Sequence, residues 1–252
     1  MKAVTGWLAR RRRRPGTRPE QRAGSVHTQA VLVLRWLRHR LELRLLARDA
    51  GVSIATAYRY LHEGLDVIAA HAPDLHDVLG QAHDADLTFL GLDGTLVPTD
   101  RVAARAEAGH NLWYSGKHHV FGGNVQVLCA PTGFPLWVSD VRPGCTHDLT
   151  AAREMVLPAV YPHAARGLPT LADKGYDGAG AGVLTPTKGR GLHPDNATRN
   201  ELISCLRAPG ERGIALLKTR WKALNRIRLC PQRIGAITAA ALVLTTAERP
   251  IR

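Results

Sequence analysis

The chain has 252 residues, 45% of them apolar, enough to bury a core and too many for a disordered protein. Its formal net charge of +13 is uneven: residues 1–75 carry 14 basic against 6 acidic side chains, residues 76–187 carry 7 against 11, and residues 188–252 carry 13 against 4. An acidic middle between basic ends suits a protein that grips a polyanion and keeps metal-binding carboxylates at its centre. Cys129, Cys145, Cys205 and Cys230 form no pair or cluster with zinc or redox spacing and read as reduced thiols. The short apolar patch before Arg10–Arg14 is in the wrong order for a secretory signal, and the longest apolar tract, from Ile234, has 14 residues and is too short for a bilayer. The expectation is a soluble, cytoplasmic, nucleoid-associated protein.

Residues 1–24, basic and interrupted by Pro and Gly, read as a mobile arm that could hold phosphates without folding. Residues 25–82 read as a small helical domain. In HTQAVLVLRWLRHR, Val31, Leu34, Trp36 and Leu37 fall near one helix face. The segment LELRLLARDAGVSIATAYRYLHEG then predicts helix, tight turn, helix, with Gly51 free to take positive φ and Ser53 as N-cap. In this helix-turn-helix reading Ile54 and Leu61 pack inward, while Thr56, Arg59 and Tyr58 face a DNA major groove.

From residue 83 to 247 the texture is α/β. LTFLGLDGTLV predicts a strand closed by Asp93, and two more strands follow in HHVFGGNVQVLCAP and GFPLWVSDV. A helix opens at Thr146, a short strand ends at Asp173, and a final helical region begins near Glu211. Three strands, a helix, a strand and a helix match an RNase H-like catalytic domain.

The run L-D-G-T-L-V also resembles the opening motif of haloacid dehalogenase-like phosphatases. There the nucleophilic Asp precedes by two residues, and Gly91 holds that place. Glycine cannot attack phosphorus, and the acid pair such an enzyme needs later is imitated only weakly by Asp173 and Asp177. Cutting a phosphodiester in an RNase H-like site instead requires carboxylates from two strand ends and a helix, which hold two divalent ions about 4 Å apart. Asp93, Asp173 and Glu211 meet that description, and Mg²⁺, or Mn²⁺, is the expected ion.

LDGT at Asp93, YSGKHH at 114–119, NVQV at Asn124, PGCTHDLTAAR from Pro143, ADKGYDGAG at Asp173 and RAPGERGIALLKTRW from Arg207 together resemble DDE transposases of insertion sequences, in the group related to Harbinger-type endonucleases. The resemblance spans about Val26 to Leu244. It implies a catalytic, metal-holding triad of Asp93, Asp173 and Glu211. It also implies Y-x2-R-x3-E-x6-K on the final helix, met by Arg207, Glu211 and Lys218 with Ser204 in the tyrosine place. Arg207 and Lys218 would face DNA phosphates, as could Lys117, and His147 and Asp148 would either cap a helix or orient the metal site. The implied activity is metal-dependent cleavage of the element's terminal inverted repeats, then strand transfer into target DNA by a homo-oligomer in a synaptic complex. A decayed element that only binds DNA is the alternative.

Overall fold

The computed structural model describes residues 1–13 and 18–248. It divides into two compact units: residues 1–72, 218–225 and 236 onward form the first, and residues 73–217 with 226–235 the second.

In the first unit, α1 (Lys2–Arg13) buries Val4, Leu8 and Arg12, one residue per turn along a single stripe. This corrects the expectation of a mobile arm, except at 14–17, which lie outside the described residues. Arg12 holds this helix to α2 (Val26–His39). Its Nη2 donates to Gln29 Oε1 at 2.7 Å and its Nη1 to the Gly24 carbonyl at 2.9 Å. Gln29 in turn donates to Glu63, which also pairs with Arg22 at 2.9 Å, so the arm's Arg12 and Arg22 are both bound inside the unit.

The buried face of α2 carries Gln29, Leu32, Val33, Trp36 and Leu37, whereas Val31 and Leu34 are only half-buried. The stripe thus lies slightly to one side of the expected face. α3 (Leu43–Asp49) and α4 (Ile54–Ala69) are joined through Gly51 at φ +63° and Ser53, whose side chain accepts from Thr56 N. The tract from Ile234 becomes α9 (Ile234–Glu248). Among the described residues no helix is long and apolar enough to cross a membrane.

The second unit is built on one mixed sheet. Its strands are β1 (Leu90–Pro98), β2 (Tyr114–Ser115), β3 (Val120–Cys129), β4 (Pro135–Val138), β5 (Arg142–Pro143), β6 (Thr170–Leu171) and β7 (Val183–Leu184). The central order is β2-β3-β1-β6-β7, with β4 and β5 also on β3. β1 runs antiparallel to β3 and parallel to β6. On one face α6 (Asp148–Met155), α7 (Leu157–Ala165) and α5 (Leu75–Asp84) cover Leu90, Leu92 and Leu128. Because Leu75, Leu79 and Ala82 of α5 belong to this core, that helix sits in the second unit rather than in a domain ending at 82.

A long helix, α8 (Pro194–Arg220), carries Glu211. Glu211 is therefore well inside a helix rather than at its start, and Asp93 lies mid-strand in β1 rather than at its end.

Candidate active site

Register decides which side chains meet at β1. Paired residues share a face and neighbours alternate. Asp93 lies opposite Val127, with Gly91 opposite Cys129, and Gly94 lies opposite Gln126, with Leu96 opposite Asn124. Asp93 and Cys129 share the α8 face, while Gly94, Gln126 and Asn124 share the α6 face.

On the α8 face, glycines let the helix approach closely. A Cβ on Gly213 would stand 2.6 Å from the Gly133 carbonyl oxygen and 2.7 Å from Cys129 Sγ. Gly133, at φ +84° in the turn between β3 and β4, leaves no room for a side chain against the Pro209 carbonyl. This seating places Asp93, Cys129, Arg207, Gly210 and Glu211 around one narrow cleft. Burial raises the Asp93 pKa from 3.8 to about 6; the Arg207 charge opposes this, and the Asp173 and Asp148 charges add to it. Burial, with the Asp93 charge, pushes the Cys129 thiol up to about 12, so it stays an inert thiol.

Asp173 follows β6 and caps a 3₁₀ turn, its Oδ1 accepting from Gly175 N at 2.8 Å. Among the described residues no three His, Cys, Asp or Glu side chains converge tightly enough to hold a metal ion. Glu211 shares the cleft with Asp93, and Asp173 lies outside that lining but near enough for its charge to act on Asp93.

On the α6 face, Asp148 is the first residue of α6, where the helix dipole favours an anion, and His147 is the N-cap position in place of the expected Thr146. Asp148 Oδ1 accepts from Asn124 Nδ2 at 2.7 Å and Oδ2 accepts from Lys117 Nζ at 2.8 Å. Gly94 makes room for this carboxylate, since a Cβ there would collide with Asp148 Oδ1. Behind it, Gln126 Nε2 donates to Asn124 Oδ1 at 2.9 Å and Tyr176 OH donates to Gln126 Oε1 at 2.7 Å. Burial, with the Asp148, Asp93 and Asp173 charges, holds the Tyr176 phenol well above its usual pKa and keeps it a donor. Asn124, Gln126 and Tyr176 were not among the residues expected from the sequence. Asn124 and Gln126 lie in the NVQV motif and Tyr176 in ADKGYDGAG, which carried the family resemblance without a role for these three residues.

Other expected contacts fall differently. Thr56 is buried, its hydroxyl accepting from Ser53 and from Arg59 Nη2, so it cannot reach a groove. Ile54, expected inside, is exposed together with Tyr58 and Arg59. Lys218 falls in the first unit and Arg207 in the second. Asp177, which the phosphatase reading needed, is an exposed partner of Lys188.

A family model described as DDE superfamily endonuclease matches residues 92–246. The chain belongs to that family. The phosphatase alternative is thereby set aside. No curated protein matches the chain significantly. Among solved structures it is similar to a Mos1 transposase paired-end complex with left transposon end, at 12% identity over 78% of this chain and 77% of that one with TM-score 0.23. A pre-cleavage Mos1 transpososome matches at 11% identity over 89% and 79%, with TM-score 0.24. At these TM-scores the likeness carries no argument about this chain.

Proposed function

We propose that this endonuclease is the transposase of an insertion sequence, which binds the element's ends, nicks them and joins the freed 3′ end to target DNA. The observation that carries the reading is Asp93, a buried carboxylate beside the charges of Asp173 and Arg207 that shares a cleft with Glu211. Strand order supports an RNase H-like second unit: three antiparallel strands, helices, then two strands parallel to the first.

Asp93, Asp173 and Glu211 would hold Mg²⁺ or Mn²⁺. All three offer hard carboxylate oxygens. The raised pKa of Asp93 reflects burial among like charges, which a divalent cation would relieve. When bound, such ions supply an activated nucleophile and a stabilised leaving oxygen. Arg207 balances charge beside Asp93 and would hold the phosphate being cut. Seating of α8 on Gly133 keeps Glu211 at the cleft.

The first unit would supply end recognition. α3, the Gly51 turn and α4 are read as a helix-turn-helix whose exposed Tyr58 and Arg59 enter the major groove, with Thr56 fixing the start of the recognition helix. Two or more copies would join the two ends in one complex.

The test is a nicking assay on DNA bearing the element's own ends, with Mg²⁺ or EDTA, comparing wild type with Asp93→Asn. Metal-dependent nicks absent from the variant are expected. End binding with no cutting by either protein would overturn the catalytic reading and leave a DNA-binding remnant.

A further inference from the structure

We propose that Tyr176, Gln126, Asn124 and Asp148 are positioning residues that hold the Lys117 ammonium as a pre-set phosphate clamp in the open cleft on the α6 side of the sheet. The inference rests on the transposase reading and names residues that reading leaves without a role.

The hydrogen bonds run one way. Tyr176 donates to Gln126, Gln126 to Asn124, Asn124 to Asp148, and the ammonium of Lys117 meets the far oxygen of that carboxylate. Asp148 thus accepts at both oxygens, from Asn124 at one and from Lys117 at the other. The second carboxamide donor bond of Asn124, to the Thr146 carbonyl at 3.2 Å, fixes the orientation of its amide. A core needs no such chain, since buried polar groups are costly unless each is satisfied and apolar residues would fill the same space.

What the chain delivers lies at the surface. The Lys117 side chain is 59% exposed, while that of Asp148 is 12% exposed. Lys117 lines an open cleft with Ser115, His118, Asn124, Thr146 and His147. It is near enough to Asp173 and Asp93 for both to favour its charged form. An ammonium has three donors, and the bond to Asp148 uses one, leaving two for a phosphate. A lysine side chain loses much rotamer freedom when it is fixed. Anchoring it on Asp148 moves that loss from DNA binding to folding.

The test measures DNA affinity against salt, and the single-turnover nicking rate at saturating protein, for Lys117→Ala, Lys117→Arg, Asp148→Asn, Gln126→Met and the milder Tyr176→Phe. Circular dichroism checks that each variant is folded. Lys117→Ala should weaken binding and lower the salt slope by about one phosphate contact. Gln126→Met and Asp148→Asn keep the lysine charge and should keep the slope, yet lower the saturated rate about tenfold or more. Tyr176→Phe should fall between them and wild type, and Lys117→Arg should recover part of the loss of Lys117→Ala. Saturated rates at the wild-type level in folded Gln126→Met and Asp148→Asn would overturn the proposal, as would an unchanged slope in Lys117→Ala. If wild type nicks with metal and Asp93→Asn does not, such results remove only the clamp. If wild type does not nick, the transposase reading fails and the clamp with it.

Discussion

With the catalytic role proposed for it, Asp93 sets activity and stability against each other at a single residue. Its carboxyl titrates at 3.8 in an ordinary setting and at about 6 in the fold, because burial disfavours the charge. With the folded value above the unfolded one, folding favours the protonated acid. Stability from this group is complete below about pH 4 and is lost as pH rises through about 6, a loss of roughly 1–3 kcal/mol. In EDTA, Asp93→Asn should therefore melt above wild type at pH 7.5, with the gap closing as pH falls toward 4. A variant that melts below wild type at pH 7.5 would show that the carboxylate is not strained there. Asp93 could be picked out from its D-G-T context without knowing any of this. Asn124 and Gln126 stood in the NVQV motif but without a role, because they lie across from Leu96 and Gly94 and cross-strand register is invisible in one strand read alone.

At the scale of elements, the seating of α8 is the feature on which the cleft depends. Gly213 meets the Gly133 carbonyl and Cys129, whereas a Cβ on Gly210 would meet nothing within 4 Å. Gly213→Ala should cost about 1–3 kcal/mol by thermal melting and lower nicking with it. Gly210→Ala should be neutral or stabilising by up to about 1 kcal/mol, as expected for glycine replaced inside a helix. Equal melting temperatures for the two variants would rule out a tight seat. The sequence A-P-G at 208–210 invites a helix start near Glu211, since proline and glycine ordinarily punctuate helices. The helix runs through Pro209 nonetheless, with the turn at Gly133 packed on that proline's carbonyl. Tertiary contact overrides local preference here. By contrast, Gly51 and Ser53 were legible because turn and cap chemistry are local.

For the whole molecule, the two units should separate recognition from chemistry. Arg59→Ala, in the first unit, should reduce binding to the element's ends by about tenfold or more while non-specific binding falls much less. Equal losses in competition titrations on end and random DNA would argue against a recognition helix. Four strands, the helix before the fourth and the last helix of the second unit could be read along the chain from their hydrophobic periods, whereas the two-residue strands β2, β5 and β7 could not. The unit boundaries could not, because residues 218–225 and 236 onward return to the first unit. Inside that unit Trp221 Nε1 donates to Thr245 Oγ1 at 2.8 Å, and the Arg38 guanidinium lies 5.5 Å from the centre of the Trp221 ring. The return of the chain sets an order of events during synthesis. Helices α1–α4 leave the ribosome early, yet their unit cannot close until α9 has been made, after the whole second unit has emerged. A message broken anywhere before α9 would release a chain whose first unit is unfinished. On the proposed function, such truncated products should not compete with intact copies for the element's ends.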